Sequence, residues 1–579
     1  MASLQTIRVK GNTYYRLVTC RRINGKPTPV VLEYLGKADD ILKRLEDAGR
    51  VQVRSWSHGA VAALYALARE LQAAAVIDRH LAQAGRRIPA APETSETSQP
   101  LPPQTNDGLT VGQSLTLVSI GRACHATSKR AFAGWARTTT LGQLAGVDVD
   151  RLTSQHFWDQ MDQLPVELIE PIERDLVADV IERFDLSLDT LLFDATNFFT
   201  FIASSNTRCE LPARGKQKQK RTDLRQVGVA VLCSRQQGIP LWHRTYAGNV
   251  ADSSCFAQVL ASLRQRMLDL RCDLSRLTVV YDKGNVSQAN QRQVDELKLH
   301  YVSALTVASQ RELVDEANPL LAPVELEAGE TVSAYRAVKE IWGAERTVVV
   351  LCSERLRQGQ MAGVMQHVQK ALDRLSGLAA MLRRGTQKRT RAQIQRDIEN
   401  DLKGRQHLTQ LIRFQLTGED PQLTLSFSFD PSAFDRLAES TFGRVVLMTD
   451  RHEWSTAEII RAYHGQAAVE AVFAHLKDPA HLAMRPQYHW TDQKLHVHVF
   501  TCVLGYLLAT LLHLRARRAN APYASLESLL DALSQVRRAM LVRRSSPRTD
   551  KRAGERVTYQ LEEIEPEIAP LLPVLGVPG

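Results

Sequence analysis

Between residues 6 and 35 apolar and polar positions alternate, in TIRVKGNTYYRLVTCRR and again in PTPVVLEYLG, with Asn24-Gly25 between them. A period of two turns one side of each segment toward a core, so the pattern predicts two strands joined by a turn. From 57 to 84 the spacing of Ala, Leu and Val changes to three and four, the period of a helix with one buried stripe. Residues 109–122 and 165–184 resume that period after IPAAPETSETSQPLPPQTNDG at 88–108, which is rich in Pro, Ser and Thr and too polar to build a core. The prediction is a β-rich module over 1–55 and a helical domain over 56–185 interrupted by a flexible loop.

Short runs of β-branched and apolar residues then occur at 190–193, 227–233 and 241–246. A helical period follows at 252–268, a strand at 277–281, a helix at 286–297 and a strand at 301–307. Three strands, a helix, a strand, a helix and a strand is the order of an RNase H-like core. Residues 310–450 interrupt it with strand-like TVVVLC and LTLSFSF around a long helical section at 361–412, and helical periods at 456–477 and 495–515 close it. The expected fold is α/β, a mixed five-stranded sheet flanked by helices and split into 186–309 and 451–519 around an insertion domain at 310–450. The remaining 520–579 reads as a basic C-terminal region with one helical stretch at 526–541. The longest apolar run, 499–512, lies between His498 and His513 and falls short of the roughly 20 residues that cross a bilayer, so it predicts a buried core helix. The polar start, MASLQTIRVKGNTYYRL, lacks the apolar stretch of a signal peptide.

Length and composition bound this picture. A chain of 579 residues exceeds one hydrophobic core, which stops growing at roughly 250–300 residues. With 44% hydrophobic and 23% charged residues, a largely disordered chain is excluded. Lys and Arg outnumber Asp and Glu by 73 to 63, for a net charge of +10, which favours an anionic partner, nucleic acid ahead of a membrane surface. Eight scattered cysteines without a CxxC pair offer neither a metal finger nor a disulfide framework and read as reduced thiols of a cytosolic protein.

Candidate chemistry comes from three separated carboxylates. Asp194 in LLFDATN and Asp282 in TVVYDKGN follow apolar strand-like runs, with Gly284 expected to let the chain turn sharply after Asp282. An Asp in that position is most often a turn former. Their placement on two strands of one expected sheet changes the reading, as does Glu470 in the helical AYHGQAAVEAVFAHLKD. Tyr463, Gln466, Glu470 and Lys477 occupy relative positions 0, 3, 7 and 14, which at about 100° per residue share one face roughly 60° wide. Val469, Val472, Phe473 and Leu476 cover the adjoining face. An acid, a phenol and a cation on a docked helix opposite two aspartates suit phosphoryl transfer, because hard divalent cations take carboxylate oxygens. Between Arg208 and Arg225 seven Lys or Arg, among them Lys216, Lys218, Lys220 and Arg221, face two acids, a basic loop suited to phosphates. A second basic run lies at 537–556. His489, His496 and His498 read as structural or surface residues.

The segments LLFDATN, KRTDLRQV at 220–227, GIPLWHRTYAGNVADS, VVYDKGNVS and the Tyr-x2-Arg-x3-Glu-x6-Lys pattern resemble DDE transposases of the IS4 group, closest to the IS1634 family of bacterial insertion sequences. The likeness runs from about residue 7 to beyond 515. It implies that Asp194, Asp282 and Glu470 are the catalytic and metal-binding triad for two Mg²⁺ ions, with Mn²⁺ able to substitute. It further implies that Tyr463 and Lys477 contact phosphates, that the helical domain at 56–185 binds DNA, and that Trp342 in the insertion stacks on a flipped base. Position 466 departs from the pattern, with Gln466 where the family has Arg, so the charge and the bidentate fork are lost there and Arg461 or Arg485 is the candidate to replace them. The implied activity is binding of the element's terminal inverted repeats, cleavage at the ends and joining of the 3′-OH to target DNA. Its implied partners are double-stranded DNA and a second copy in a synaptic homodimer, with no membrane, in the bacterial cytoplasm and on the nucleoid when DNA is bound. The alternatives are a catalytically impaired DNA-binding derivative, for which Gln466 speaks, and a metal-dependent nuclease without strand transfer.

Overall fold

The computed structural model describes residues 2–23, 26–48, 51–85, 108–215, 221, 223–385, 389–403, 407–420, 422–484, 487–544 and 555–579. The expected turn at Asn24-Gly25, the stretch 88–107, Lys216, Lys218, Lys220 and Arg485 lie outside them. Two compact units are present: Met1–Leu164 with Pro479–Ala483 and Leu504–Gly579, and Pro165–Asp478 with Met484–Val503.

The first unit opens on an antiparallel sheet of Ala2–Val9, Asn12–Ile23 and Lys26–Gly36. The first expected strand is therefore two. Lys10 and Gly11 both have positive φ, 48° and 78°, the backbone of a two-residue hairpin turn whose twist matches its strands. Helices Gly59–Glu70, Ala73–Gln83 and Val111–Cys124 follow, the last begun by a Thr110–Gln113 capping box. Residues 526–541, expected as one helix, are a helix only over Leu526–Gln535. Arg537–Arg544 is a strand, held between Val51–Ser57 and Glu555–Leu561. A short apolar run does not declare its own period, and here cross-strand pairing over Arg537 to Arg543 decides it.

In the second unit the expected strand order appears, with closely matching bounds except at the first strand, which runs on past 193 to Thr200, and these elements are numbered in chain order. Helix α1 (Val166–Arg183) precedes strands β1 (Thr190–Thr200), β2 (Arg225–Ser234) and β3 (Pro240–Ala247). Helix α2 (Asp252–Asp269), β4 (Thr278–Tyr281), α3 (Gln288–Glu296) and β5 (His300–Leu305) follow. Strands β1, β2 and β3 are antiparallel neighbours, whereas β4 and β5 add to the other side of β1 in parallel. All four residues of β4 are buried, as a parallel strand covered on both faces requires.

Among the described residues the sheet has nine strands, not five. Strands β6 (Ala322–Glu325), β7 (Thr331–Ile341) and β8 (Ala344–Cys352), together with β11 (Arg444–Thr449) from the end of the same stretch, extend it antiparallel beyond β5 in the order β5-β11-β8-β7-β6. Between β8 and β11 the chain leaves the sheet for α4 (Glu354–Arg383), α5 (Arg391–Lys403), the hairpin β9 (Ile412–Glu419) and β10 (Gln422–Phe429), and α6 (Pro431–Ser440). That excursion has a core of its own, in which Leu375 and Leu382 of α4, Ile394 and Ile398 of α5, Leu416 and Phe434 cluster. Its ends are tied together: Ser353 donates its N–H to the Gly443 carbonyl at 2.8 Å, and Cys352 pairs with Arg444 across β8 and β11.

One buried polar network binds the helices to the sheet. Glu173 of α1 accepts from His243 Nδ1 of β3 at 2.6 Å and from Arg266 Nη2 of α2 at 3.4 Å. The Arg266 side chain is only 1% exposed and Glu173 8%, so both charges depend on each other. Helix Asp492–Arg518 is long and apolar enough to cross a membrane by composition, and its apolar window is 94% buried within the protein, as a core helix is.

Candidate active site

The sheet places Asp194 and Asp282 beside one another. The last parallel pair of β1 and β4 is Phe193 with Tyr281, and each aspartate is the next residue. Equal register in parallel strands sends both side chains to the same face, and neighbouring strands run about 4.8 Å apart. Asp282 follows the end of β4, but Asp194 does not close its strand. Strand β1 runs on to Thr200, because β2 pairs with it along its whole length, up to Thr200 with Arg225. Only the parallel partner stops at the aspartates, and that opens an edge at this point. Gly284, in the short turn Lys283–Asn285, has no positive φ and a Cβ there would meet nothing, so the turn does not require glycine.

The third acid arrives on two helices instead of one. Residues 456–477 break into α7 (Thr456–His464), begun by a Ser455–Glu458 capping box, and α8 (Gln466–Lys477). Gly465 between them stays near helical backbone angles, and its N–H is shared by the carbonyls of Arg461 and Ala462, a tightened turn. Helix α8 buries Val469, Val472, Phe473 and Leu476, the apolar face read from the sequence, and packs along β1. Tyr463 therefore stands on α7, while Gln466, Glu470 and Lys477 stand on α8.

From α7, Tyr463 still reaches the second aspartate. Tyr463 Oη donates to Asp282 Oδ1 at 3.3 Å. Burial, then the charge of Asp282 and its hydrogen bond, then Glu470, push the Tyr463 phenol far above its ordinary range, so it remains a donor at any working pH. Lys477 donates to Thr196 Oγ1 at 2.8 Å and lies over the rings of Phe198 and Phe473, 5.3 and 5.9 Å from their centroids. Removing the Tyr463 hydroxyl by Tyr463→Phe is expected to lower any Asp282-dependent activity by about 10- to 100-fold, the range for a group that orients a metal-binding side chain. Thermal melting of the variant should match the parent, and equal activity would refute the orienting role.

By its chemistry the donor set is of the kind a divalent metal takes. Asp194 and Asp282 are half-buried and Glu470 exposed, all hard oxygen donors. Asn285 Oδ1, three residues after Asp282, is buried with no hydrogen bond among the described residues. These groups fit Mg²⁺ by type, although among the described residues no three of His, Cys, Asp or Glu stand close enough to hold a metal ion between them.

Trp342 sits in the left-handed region at the tip of the β7–β8 hairpin, 38% exposed. Arg221 is paired with Asp223 through two bonds of 2.7 and 2.6 Å. The amide Nε2 of Gln466 is buried with no partner among the described residues. A feature unmarked in the sequence is a patch of exposed rings just past β1: Phe201 stacks on Tyr488 with centroids 5.5 Å apart, and Trp490 is 65% exposed beside them in the chain. The available signal was the alternation of rings with polar residues in Gln487-Tyr488-His489-Trp490, of which the structure exposes Tyr488 and Trp490.

Residues 188–508 match the family model described as Transposase DDE domain. No curated protein matches the chain in sequence. Among solved structures, it is similar to a piggyBac transposase synaptic complex with hairpin DNA, at 8% identity over 81% of this chain and 78% of that one, TM-score 0.36. It is also similar to a Mos1 transposase paired-end complex with left transposon end and to a pre-cleavage Mos1 transpososome, at 12% and 11% identity, each over 36% of this chain and 61% of that one with TM-score 0.15. Overlap this slight bears no weight on the fold.

Proposed function

The chain belongs to the transposase DDE-domain family, whose model spans more than half of it, and from that premise we propose that it is a transposase of the IS4 group, nearest the IS1634 family, acting on double-stranded DNA at the paired edge of an RNase H-like core. The observation that carries this reading is the register of β1 and β4, which sets Asp194 and Asp282 side by side on one face with Tyr463 bonded to the second.

Asp194, Asp282 and Glu470 would hold divalent metal, Mg²⁺ by donor type, which when bound activates the attacking oxygen and neutralises charge on the departing one. The protein's own groups do the rest. Tyr463 fixes the orientation of Asp282, and Lys477, steadied by Thr196 and two rings, offers its charge to a phosphate. Water attacks phosphorus at the element's end, the bond to the 3′-oxygen breaks, and that oxygen leaves as a hydroxyl. The freed 3′-OH then attacks a target phosphodiester in the same in-line sense: it loses its proton as the new P–O bond forms, the target's own bond to its 3′-oxygen breaks, and that oxygen leaves as a hydroxyl. Exposed Phe201, Tyr488 and Trp490 suit contact with bases, and pairing of two ends implies a second copy of the chain.

A duplex carrying the inverted repeats that flank the coding sequence, incubated with Mg²⁺, should be cut at the repeat end, and pre-cut ends should be joined to plasmid DNA. Binding without cutting at any metal concentration would favour the impaired derivative that Gln466 suggests; cutting without joining would favour a nuclease. Lys477→Ala is expected to weaken binding about equally for all sequences and to reduce the slope of log affinity against log salt by about one, as loss of a phosphate contact does. An unchanged slope would remove Lys477 from the interface.

A further inference from the structure

The short chain after β2 holds an arginine that no motif marked. Arg235 is half-buried, yet forms no hydrogen bond and no ion pair among the described residues. Its stem lies against the break between α7 and α8: a Cβ on Gly465 would meet Arg235 Cγ at 3.0 Å and Cδ at 3.4 Å, and the carbonyl oxygen of Ala462 at 2.9 Å. Glycine at 465 is what lets the arginine lie so close. The next residue is Gln466, with its unpartnered buried amide nitrogen.

Arg235 also faces a second cation. It lines a cavity of about 410 Å³ with Thr190, Ser275, Arg451 and Arg461. Burial, then the charge of Arg461, hold the Arg235 guanidinium below its ordinary pKa, and Glu327 alone pulls the other way. The acids around the cavity are already engaged. Glu327 binds Arg461 at 2.9 Å, Asp189 stands 3.5 Å from Arg276, and Glu458 caps α7 through Ser455. Arg451 is spent on Thr278 Oγ1 and the Leu277 carbonyl. Among the described residues one partly desolvated guanidinium, repelled by another, is left without an ion pair of its own, an arrangement that a phosphate relieves because its oxygens match the planar fork.

We infer that Arg235, with Arg461 beside it, is a seat for a phosphate group of the DNA backbone at the head of α8, and supplies from the end of β2 the cation that position 466 lacks. This rests on the reading of the chain as a DNA-acting transposase. Gln466 precedes Glu470 by about one helical turn, so a strand whose phosphate sits here passes on along the α8 face toward the acids. Arg461 is the candidate read from sequence; Arg235, from another element, is the one with its charge uncommitted.

The test is Arg235→Gln in the full chain, with affinity for a fluorescent end-containing duplex measured across a salt series and with Mg²⁺-dependent cutting measured alongside. Affinity is expected to fall about 10-fold and the salt slope by about one. Arg235→Gln combined with Gln466→Arg should recover most of the affinity and the slope, because the new guanidinium is carried one residue from Gly465, against which the Arg235 stem lies. Arg235→Lys should keep the slope while losing part of the affinity. Parental affinity and slope in Arg235→Gln overturn the assignment, as does a loss that Gln466→Arg does not restore. Inorganic phosphate separates the sources: if millimolar phosphate raises the melting temperature of the parent and not of Arg235→Gln while DNA affinity is equal in both, the seat takes free phosphate and the DNA assignment falls. Binding reads the seat whether or not the parent cuts, so absence of cutting in the parent would count against the transposase reading alone.

Discussion

Asp282→Asn is expected to reduce Mg²⁺-dependent cutting of an end-containing duplex by about 10³-fold, the upper end of the range for losing one group that stabilises charge at the reacting centre. The fold should be unaffected. Asp282 is half-buried and beyond the end of β4, and the asparagine oxygen can still accept from Tyr463 as the carboxylate does at 3.3 Å. Only the negative charge is removed, so DNA binding should hold or tighten through lower repulsion while cutting disappears. Asp194→Asn, one strand away on the same face, should behave alike, and the double variant should lose little more than either single one, since the two would act as a unit. Cutting at the parental rate with an unchanged melting temperature would sink the assignment of this edge as the reacting centre.

Glu173→Gln should have the largest effect on stability, about 3–5 kcal/mol of the sheet unit, because it leaves the buried Arg266 charge without its carboxylate. Burial by itself would raise the Glu173 pKa, but the charge and hydrogen bond of His243, and then Arg266, outweigh it and hold the native value below the ordinary 4.5. The unfolded chain therefore takes up the proton first as the pH falls. This network stabilises fully above about pH 4.5, and its contribution is lost as the pH drops through the lower native value. Urea unfolding at pH 7 and again near pH 4 checks both points: the parent should lose stability between them more steeply than Glu173→Gln. Parallel pH profiles, or a variant as stable as the parent at pH 7, would show that the network is replaceable.

What the sequence disclosed about the sheet was local. The bounds of β2, β3, β4, β5 and α2 follow from runs whose period is set within a few residues. What escaped depends on partners far along the chain. Strand β1 was read as 190–193 because DATNFF has no strong alternation; it extends to Thr200 only because β2 lies beside it. Of the four extra strands only β8 holds one of the strand-like runs of the expected insertion, TVVVLC, while LTLSFSF lies in the separate hairpin, and nothing local says that Thr347 faces Thr449 or that Leu305 faces Val446. Gly465 was hidden inside a helical period that passes through it nearly unbroken. Around the acids, the helical period put Tyr463, Glu470 and Lys477 on one helix, whereas Tyr463 reaches Asp282 from a separate one. Arg235 gave no signal, since one arginine in SRQQG resembles any turn residue until its stem is seen against Gly465.

The tie between Ser353 and Gly443 makes β8 and β11 a hairpin whose turn is an entire folded body. The entropy of closing such a loop grows only with the logarithm of its length, about 0.6 kcal/mol for each doubling. Lengthening, shortening or exchanging the helices beyond Ser353 thus barely disturbs strand pairing beneath them. In evolutionary terms this is a docking port: the chain can vary what it carries above the sheet by insertion and deletion, while the edge that bears Asp194 and Asp282 keeps its register.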